Sequence, residues 1–515
     1  MRYKKEGKRM KKIVYLPMDE RPCNAIFPVK LFSDVITICS PSVLGNKKTP
    51  ANWENVHDFL LRETEDADAL ILSMDLLLYG GLVPSRLHHL SREAVRERLE
   101  TIRHLKKNRP TLLIYAYQCI MRCPKYSSSE EELYYYADYG KEIFQLGEAQ
   151  HRYRLGLCQR DEMEALYKRI PEDLLKDYLA RREFNLNFNM ETLDLVADGT
   201  IDFLIFPQDD CARYGFTALD QEKIRARISE LRLDMKVLMY PGADELGLTM
   251  MTRMLVHFSG KRPRIYIKMA STSASLAIPP FEDRPLGETL KYHLIAAGCR
   301  MATCLSEADI VLGVSFPGKN GRGDDLEHEV DPGITVERTL SEFVLFLEDA
   351  LDMGKTVTLA DNALANGADM ELISILGQQN MLQRLNGYAG WNTSSNTIGT
   401  AIAEGVHAFI VGMTQAHWDF LGLRYLEDAG YCSVVRQQIT REELFPRNYD
   451  YFDVGEQRGE ISELVRTKLL AFARDCLPGI AEKLQILDVW MPWCRMFEVG
   501  LTVYWKRDGE NNRYE

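Results

Sequence analysis

The chain has 515 residues, 46% of them hydrophobic and 27% charged, with 63 basic against 75 acidic side chains for a net charge of −12. So many apolar residues bury enough surface to offset the entropy lost on folding, which excludes a disordered chain, and ordinary Gly (34) and Pro (20) contents exclude a collagen-like one. An acidic chain repels phosphate backbones and anionic lipid, so neither nucleic acid nor a membrane is expected as a partner.

Residues 1–10 are basic and read as a tail before the first strand. A secretory signal would continue into an apolar stretch of ~7–15 residues with a small-residue cleavage site, and none follows. Short apolar runs between turn residues predict strands over 13–16, 35–39, 69–73, 111–117, 203–206 and 236–240. Helical stretches fall between them over 92–106, 130–154, 159–182 and 220–231. Continuous apolar runs suit strands buried on both faces, and strands alternating with helices mean an α/β fold with parallel pairing. Residues 11–260 are therefore expected to form a parallel (β/α) barrel-like unit, packed against a second α/β unit over 261–440. That second unit carries strands over 264–269, 309–314, 356–360 and 385–388, and helices over 286–297, 336–351, 370–376 and 397–409. A Gly- and Asp-rich stretch over 318–333 reads as a surface loop. Residues 441–515 read as a helix over 460–475 and an aromatic strand over 495–505. No internal repeat is visible. The 11 scattered cysteines read as reduced thiols of a cytoplasmic protein, and Cys119 and Cys123 lack the second pair that a zinc site needs.

Functional groups of parallel α/β proteins sit where strands end and loops converge. Here those ends are rich in acids. They carry Asp19-Glu20-Arg21, Asp75 with Tyr79 and Arg86, Asp209-Asp210, Tyr240 followed by Asp244-Glu245, Asp361-Asn362, and Trp391-Asn392 with Asn396. Any single acid also suits a helix N-cap, Asp361 especially, and Glu20 suits a simple pair with Arg21. Adjacent acids do not suit caps, because two neighbouring carboxylates repel until one holds its proton near neutral pH. One shared acidic pocket is the expectation. The polar turn 392–396 opens a helix that Ser394 or Ser395 would cap, and its free N–H groups also make a natural anion or hydroxyl site.

Carboxylates with Asn, Arg, Trp and Tyr suit a polyhydroxylated ligand, and paired carboxylates are the usual machinery of glycoside hydrolysis. Asp209-Asp210, or Asp244-Glu245 as the alternate pair, fits a variant in which one acid orients the substrate's acetamido group and the other protonates the leaving oxygen. Asp19, Glu20, Arg21, Asp75, Tyr79, Arg86, Tyr240, Asp361, Asn362, Trp391, Asn392 and Asn396 would then hold the sugar. The phosphate cradles of ATP and dinucleotide sites, the GxSxG elbow and HExxH are all missing from the sequence. No cofactor and no bound metal is expected, although a carboxylate-only Mg²⁺ or Ca²⁺ site stays open.

Leu16-Pro17-Met18-Asp19-Glu20-Arg21-Pro22, Tyr79-Gly80-Gly81-Leu82-Val83-Pro84-Ser85-Arg86, Pro207-Gln208-Asp209-Asp210, Pro241-Gly242-Ala243-Asp244-Glu245 and Gly390-Trp391-Asn392-Thr393 together resemble a bacterial family, domain of unknown function 4127, over nearly the whole chain. The resemblance implies no activity. More remotely, Asp209-Asp210 is similar to the adjacent acids of β-N-acetylhexosaminidases. The expectation is thus a cytoplasmic glycoside hydrolase acting on small N-acetylated amino-sugar glycosides, with a homo-oligomer left open. The alternatives are a divalent-metal-assisted hydrolase or lyase, and a non-catalytic sugar- or metabolite-binding protein.

Overall fold

Six apolar runs lie side by side in one parallel sheet. They are β1 (Lys11–Leu16), β2 (Ile36–Cys39), β3 (Ala69–Ser73), β4 (Leu113–Tyr117), β5 (Phe203–Gln208) and β6 (Val237–Pro241), in the order β2-β1-β3-β4-β5-β6. Five more strands make a second sheet: β7 (Arg264–Met269), β8 (Arg300–Met301), β9 (Ile310–Val314), β10 (Thr356–Ala360) and β11 (Gly387–Ala389), in the order β11-β10-β9-β7-β8. Every pairing in both sheets is parallel. The computed structural model describes residues 9–318 and 333–507. Most of the basic tail and nearly all of the Gly/Asp-rich stretch lie outside the described residues.

The α/β class is as expected, but the first unit is an open sheet and not a barrel. A barrel needs every crossover to step in one direction until the last strand meets the first. Here the chain steps from β1 to β2 on one side, then reverses and places β3 on the other side of β1. That reversal leaves β2 and β6 as edges, the doubly wound arrangement, and marks the β1/β3 boundary as the place where ligand crevices open. The second sheet reverses in the same way, with β8 on one side of β7 and β9 on the other. The two units thus share a winding that no sequence repeat announces.

Alternate residues of the strands enter different cores, as a period of two requires. Ile13, Tyr15 and Ile71 join one apolar cluster, while Val14, Leu16, Leu70 and Leu72 join another on the opposite face. The first cluster runs on through Leu246, Met250 and Met254 into Leu312, Ile398 and Ile402, so one core spans both units. Two helices carry this junction, Leu246–Ser259 and Ser394–Ile410, and most residues of each are buried. The C-terminal part adds a helix (Glu460–Cys476) and an antiparallel pair, β12 (Leu484–Trp490) with β13 (Gly500–Trp505). The aromatic strand starts at Gly500, and the stretch 495–499 is a loop. Among the described residues no helix is long and apolar enough to cross a membrane.

The junction tolerates no side chain at Gly399, where a Cβ would lie 2.3 Å from Cγ of buried Glu245. In an open helix interior, Gly→Ala stabilises by up to ~1 kcal/mol. Gly399→Ala is expected to do the opposite and lower stability by ~1–3 kcal/mol through overpacking, read as an earlier midpoint in urea.

Candidate functional site

Arg21, five residues beyond the end of β1 at Leu16, is itself buried, and its guanidinium bridges two carboxylates. Its Nε and Nη2 donate to Asp19 Oδ2 at 2.9 and 2.7 Å, and Nη2 and Nη1 donate to Asp244 Oδ1 and Oδ2 at 2.7 and 3.3 Å. Asp244 follows β6, four strand spacings from β1, or ~19 Å along the sheet. The loops therefore lean inward over the sheet until their tips meet. Asn24 Nδ2 donates to Asp19 at 2.9 Å and to Asp244 at 3.1 Å, and Asn392 Nδ2 reaches Asp244 from the second unit at 3.1 Å. Burial raises the Asp244 carboxyl to about 6, against the opposing pull of Arg21.

A second bridge lies beside the first. Arg86 Nη2 donates to Asp209 Oδ2 at 2.8 Å, and Arg122 Nη1 donates to Asp210 Oδ2 at 2.9 Å and to Asp209 Oδ2 at 3.3 Å. One guanidinium nitrogen thus holds both acids of the pair, so their carboxyls lie side by side. Both acids remain partly exposed to solvent. Burial, then the neighbouring Asp209, raises Asp210 to about 7. Behind them, Glu132 accepts from Arg86 at 3.1 Å and from Arg122 at 2.7 Å, while Glu131 accepts from Arg122 at 3.1 Å and from Arg495 at 2.7 Å. Burial alone would raise Glu131, but Arg122, Arg495 and Arg86 hold it well below the usual carboxylate range. Asp75 lies deeper, accepts from the Cys119 backbone N–H at 2.9 Å, and is pushed by burial to about 7. The acids face guanidinium groups more than one another, and among the described residues no three His, Cys, Asp or Glu side chains gather as metal ligands would.

Two small clefts adjoin this network. One of about 10 Å³ is lined by Asp75, Tyr79, Arg86, Gln118, Arg122 and Asp209 among others. The other, about 30 Å³, lies between the units against Arg21, Asp244, Trp391, Asn392, Glu427 and Glu498. Trp493 lies against this network. Its indole Nε1 donates to Glu20, and Arg21 stacks on its ring at 4.9 Å. Left-handed backbone collects here at non-glycine residues: Asp210 (φ 41°), Phe281 (65°), Asn366 (60°), Asn392 (53°), Trp493 (54°) and Cys494 (53°). Phe281 belongs to this rim through its carbonyl, which accepts from Cys211 N–H. For bulky side chains such angles carry strain, and strain concentrates at functional sites.

The structure brings together Asp19, Arg21, Asp75, Tyr79, Arg86, Asp209, Asp210, Asp244, Trp391 and Asn392, with Glu20 at the rim accepting from Lys47 N–H at 2.6 Å. It does not bring the others. Glu245 turns away from Asp244 into the junction, fully buried with no hydrogen-bond partner on either oxygen, and Tyr240 packs edge-on against His293 behind it. Asp361 is no helix cap. It accepts from Ser315 Oγ, Asp369 N–H and the Tyr388 hydroxyl at 2.8–2.9 Å and knits the second sheet's strand ends together. Asn362 donates to Ser394 O, and Asn396 Oδ1 accepts from Ala243 N–H, so both serve the junction. The helix starting at Ser394 is capped neither by Ser394 nor by Ser395. Glu282 fills its N-terminus, accepting from Ser395 N–H and Oγ at 2.8 Å each.

Sequence reasoning missed Arg122, Glu131, Glu132, Asn24, Trp493, Arg495 and Glu498. Arg122 follows β4, and the strand-end rule applied to that strand reaches it. Arg495 meets Glu131 across 364 residues, and no local signal joins them.

A family described as "Protein of unknown function (DUF4127)" matches the chain over residues 13–502. No protein of established, curated function matches it.

Glu245 supplies a test of the junction. Burial raises its carboxyl from the ordinary 4.5 to about 8. The folded state therefore keeps a proton that the unfolded chain releases. Stability from this group is complete below about 4.5 and is lost as pH rises through 8. Glu245→Gln keeps the neutral shape, so its stability is expected to match the parent near pH 5. It should gain on the parent by ~1 kcal/mol per pH unit towards pH 8, measured by urea unfolding at each pH. A pH-independent difference would contradict the assignment.

Proposed function

The chain belongs to the DUF4127 family, whose description names no activity, and from its site we propose that it is a glycoside hydrolase acting on small N-acetylated amino-sugar glycosides. The observation that carries this reading is the Asp209–Asp210 pair, held side by side on Arg122, with burial and Asp209 raising the Asp210 carboxyl to about 7. In this reading Asp210 donates its proton to the leaving glycosidic oxygen. Asp209, positioned by Arg86, accepts a hydrogen bond from the acetamido N–H and turns the acetamido carbonyl oxygen towards the anomeric carbon. That oxygen forms the new bond as the glycosidic bond breaks. The Asp210 carboxylate then takes a proton from water, whose oxygen attacks the same carbon and reopens the cyclic intermediate. Asp19, Arg21, Asp244 and Asn392 offer paired donors and acceptors to the sugar hydroxyls, and Trp391 lines the same cleft. The eleven cysteines are free thiols, in keeping with a reducing cytoplasm as the place of action.

With aryl N-acetyl-β-glucosaminides and related aryl glycosides as substrates, Asp210→Asn is expected to lower kcat by ~100-fold or more. Asp209→Asn should lower it most for the N-acetylated substrates. The parent's activity should fall as pH rises through about 7, where Asp210 loses the proton it must donate. Undiminished turnover in both variants would remove these acids from the chemistry.

A further inference from the structure

The smaller cleft forms a narrow chamber bordered by Asp209. Its walls come from three places: Asp75, Tyr79 and Arg86 after β3, Gln118 after β4, and Asn189 on the long helix Glu172–Ala197. Among these lining residues, the Tyr79 hydroxyl and Gln118 Oε1 are buried and have no hydrogen-bond partner, on residues only 2% and 1% exposed. Such groups are seldom left unpaired, and a chamber of about 10 Å³ has the room of one water molecule.

We propose that this chamber is a subsite for a single uncharged hydroxyl arm of the substrate, which displaces the water; the inference rests on the glycosidase reading. The chemistry of the walls selects the group. Gln118 Oε1 only accepts, and the Tyr79 hydroxyl both donates and accepts, so the occupant must donate one hydrogen bond and can accept another. A hydroxyl does both. A methyl group would leave both wall atoms unpaired. A phosphate or carboxylate is too large for the space of about 10 Å³. The substrate class is therefore a neutral, unphosphorylated sugar with that hydroxyl free, and Gln118 and Tyr79 set specificity without touching the reacting bond.

The test is calorimetric titration of the full-length protein with N-acetylglucosamine, with its analogues lacking one hydroxyl each, and with its 6-phosphate. In the parent protein, loss of the 6-hydroxyl, the one hydroxyl this sugar carries on an arm, should weaken binding by ~100-fold or more, because a site built around a hydroxyl rejects the analogue without it. In Gln118→Leu that penalty should shrink at least about tenfold while the penalties for the other hydroxyls stay as they were. The phosphate should not bind. Tyr79→Phe, which removes a single oxygen, gives the same comparison should Gln118→Leu fail to fold. Equal penalties in parent and variant, or binding of the phosphate as tight as that of the neutral sugar, would overturn the subsite and leave the glycosidase reading standing. Failure of every sugar to bind the parent would overturn both.

Discussion

The structure depends on the burial of arginine between carboxylates above the first sheet. A lone charge in that position would cost several kcal/mol to desolvate, and the arrangement holds only if each charge meets opposite charges in good geometry. Arg21 meets that condition by drawing Asp19 from the end of β1 and Asp244 from the end of β6 onto one guanidinium. Arg86 and Arg122 do the same for the Asp209–Asp210 pair and for Glu131 and Glu132. The loops have no freedom to stand apart, since separating any one would strand a buried charge. This requirement accounts for the left-handed angles at Asp210, Asn392 and Trp493: the backbone accepts local strain so that side chains from separate strands reach common partners.

The same requirement ties the two units together. Asn392 reaches Asp244 from the second sheet's loops, Glu282 closes the N-terminus of the helix Ser394–Ile410, and Arg495 comes from the C-terminal part to Glu131. Beneath these polar contacts lies one continuous apolar core, with Gly399 pressed against Glu245. The polar layer specifies how the units meet, and the apolar layer supplies most of the association free energy. The acids divide accordingly. Asp19, Asp209, Asp210 and Asp244 are held by arginines beside the clefts, while Glu245, Glu282 and Asp361 face the interior and serve the framework.

Much of this was legible from pattern alone. The continuous apolar runs at 13–16, 69–73 and 203–206 are β-strands because both faces of the sheet are buried, and that burial writes itself into consecutive residues. The strand-end rule found Asp19, Arg21, Asp75, Asp209 and Asp244 because each lies within five residues of a strand's end, and Arg86 in the longer connection after β3. The direction of each crossover was not legible, and the expected barrel proved to be an open, doubly wound sheet. A helix reads the same whether it returns the chain to the left or to the right of the preceding strand. Nor could proximity to a strand end say which way a side chain points: Asp244 and Glu245 are neighbours in the chain and face opposite sides.

The sequence by itself determined the α/β class, the number and nature of most elements and a short roster of chemistry-bearing residues, since these follow from periodicity and local turn chemistry. Only the tertiary structure decided which of the acids lie together, which have their carboxyl pKa raised by burial and which arginines hold them. Those properties arise from contacts between residues hundreds of positions apart, such as Arg21 with Asp244 and Arg495 with Glu131, and from a burial that exists only once both units have closed over the strand ends. The excess of 75 acids over 63 bases describes the whole chain. The few carboxyls that burial keeps near neutrality, Asp210 foremost among them, depend on the fold.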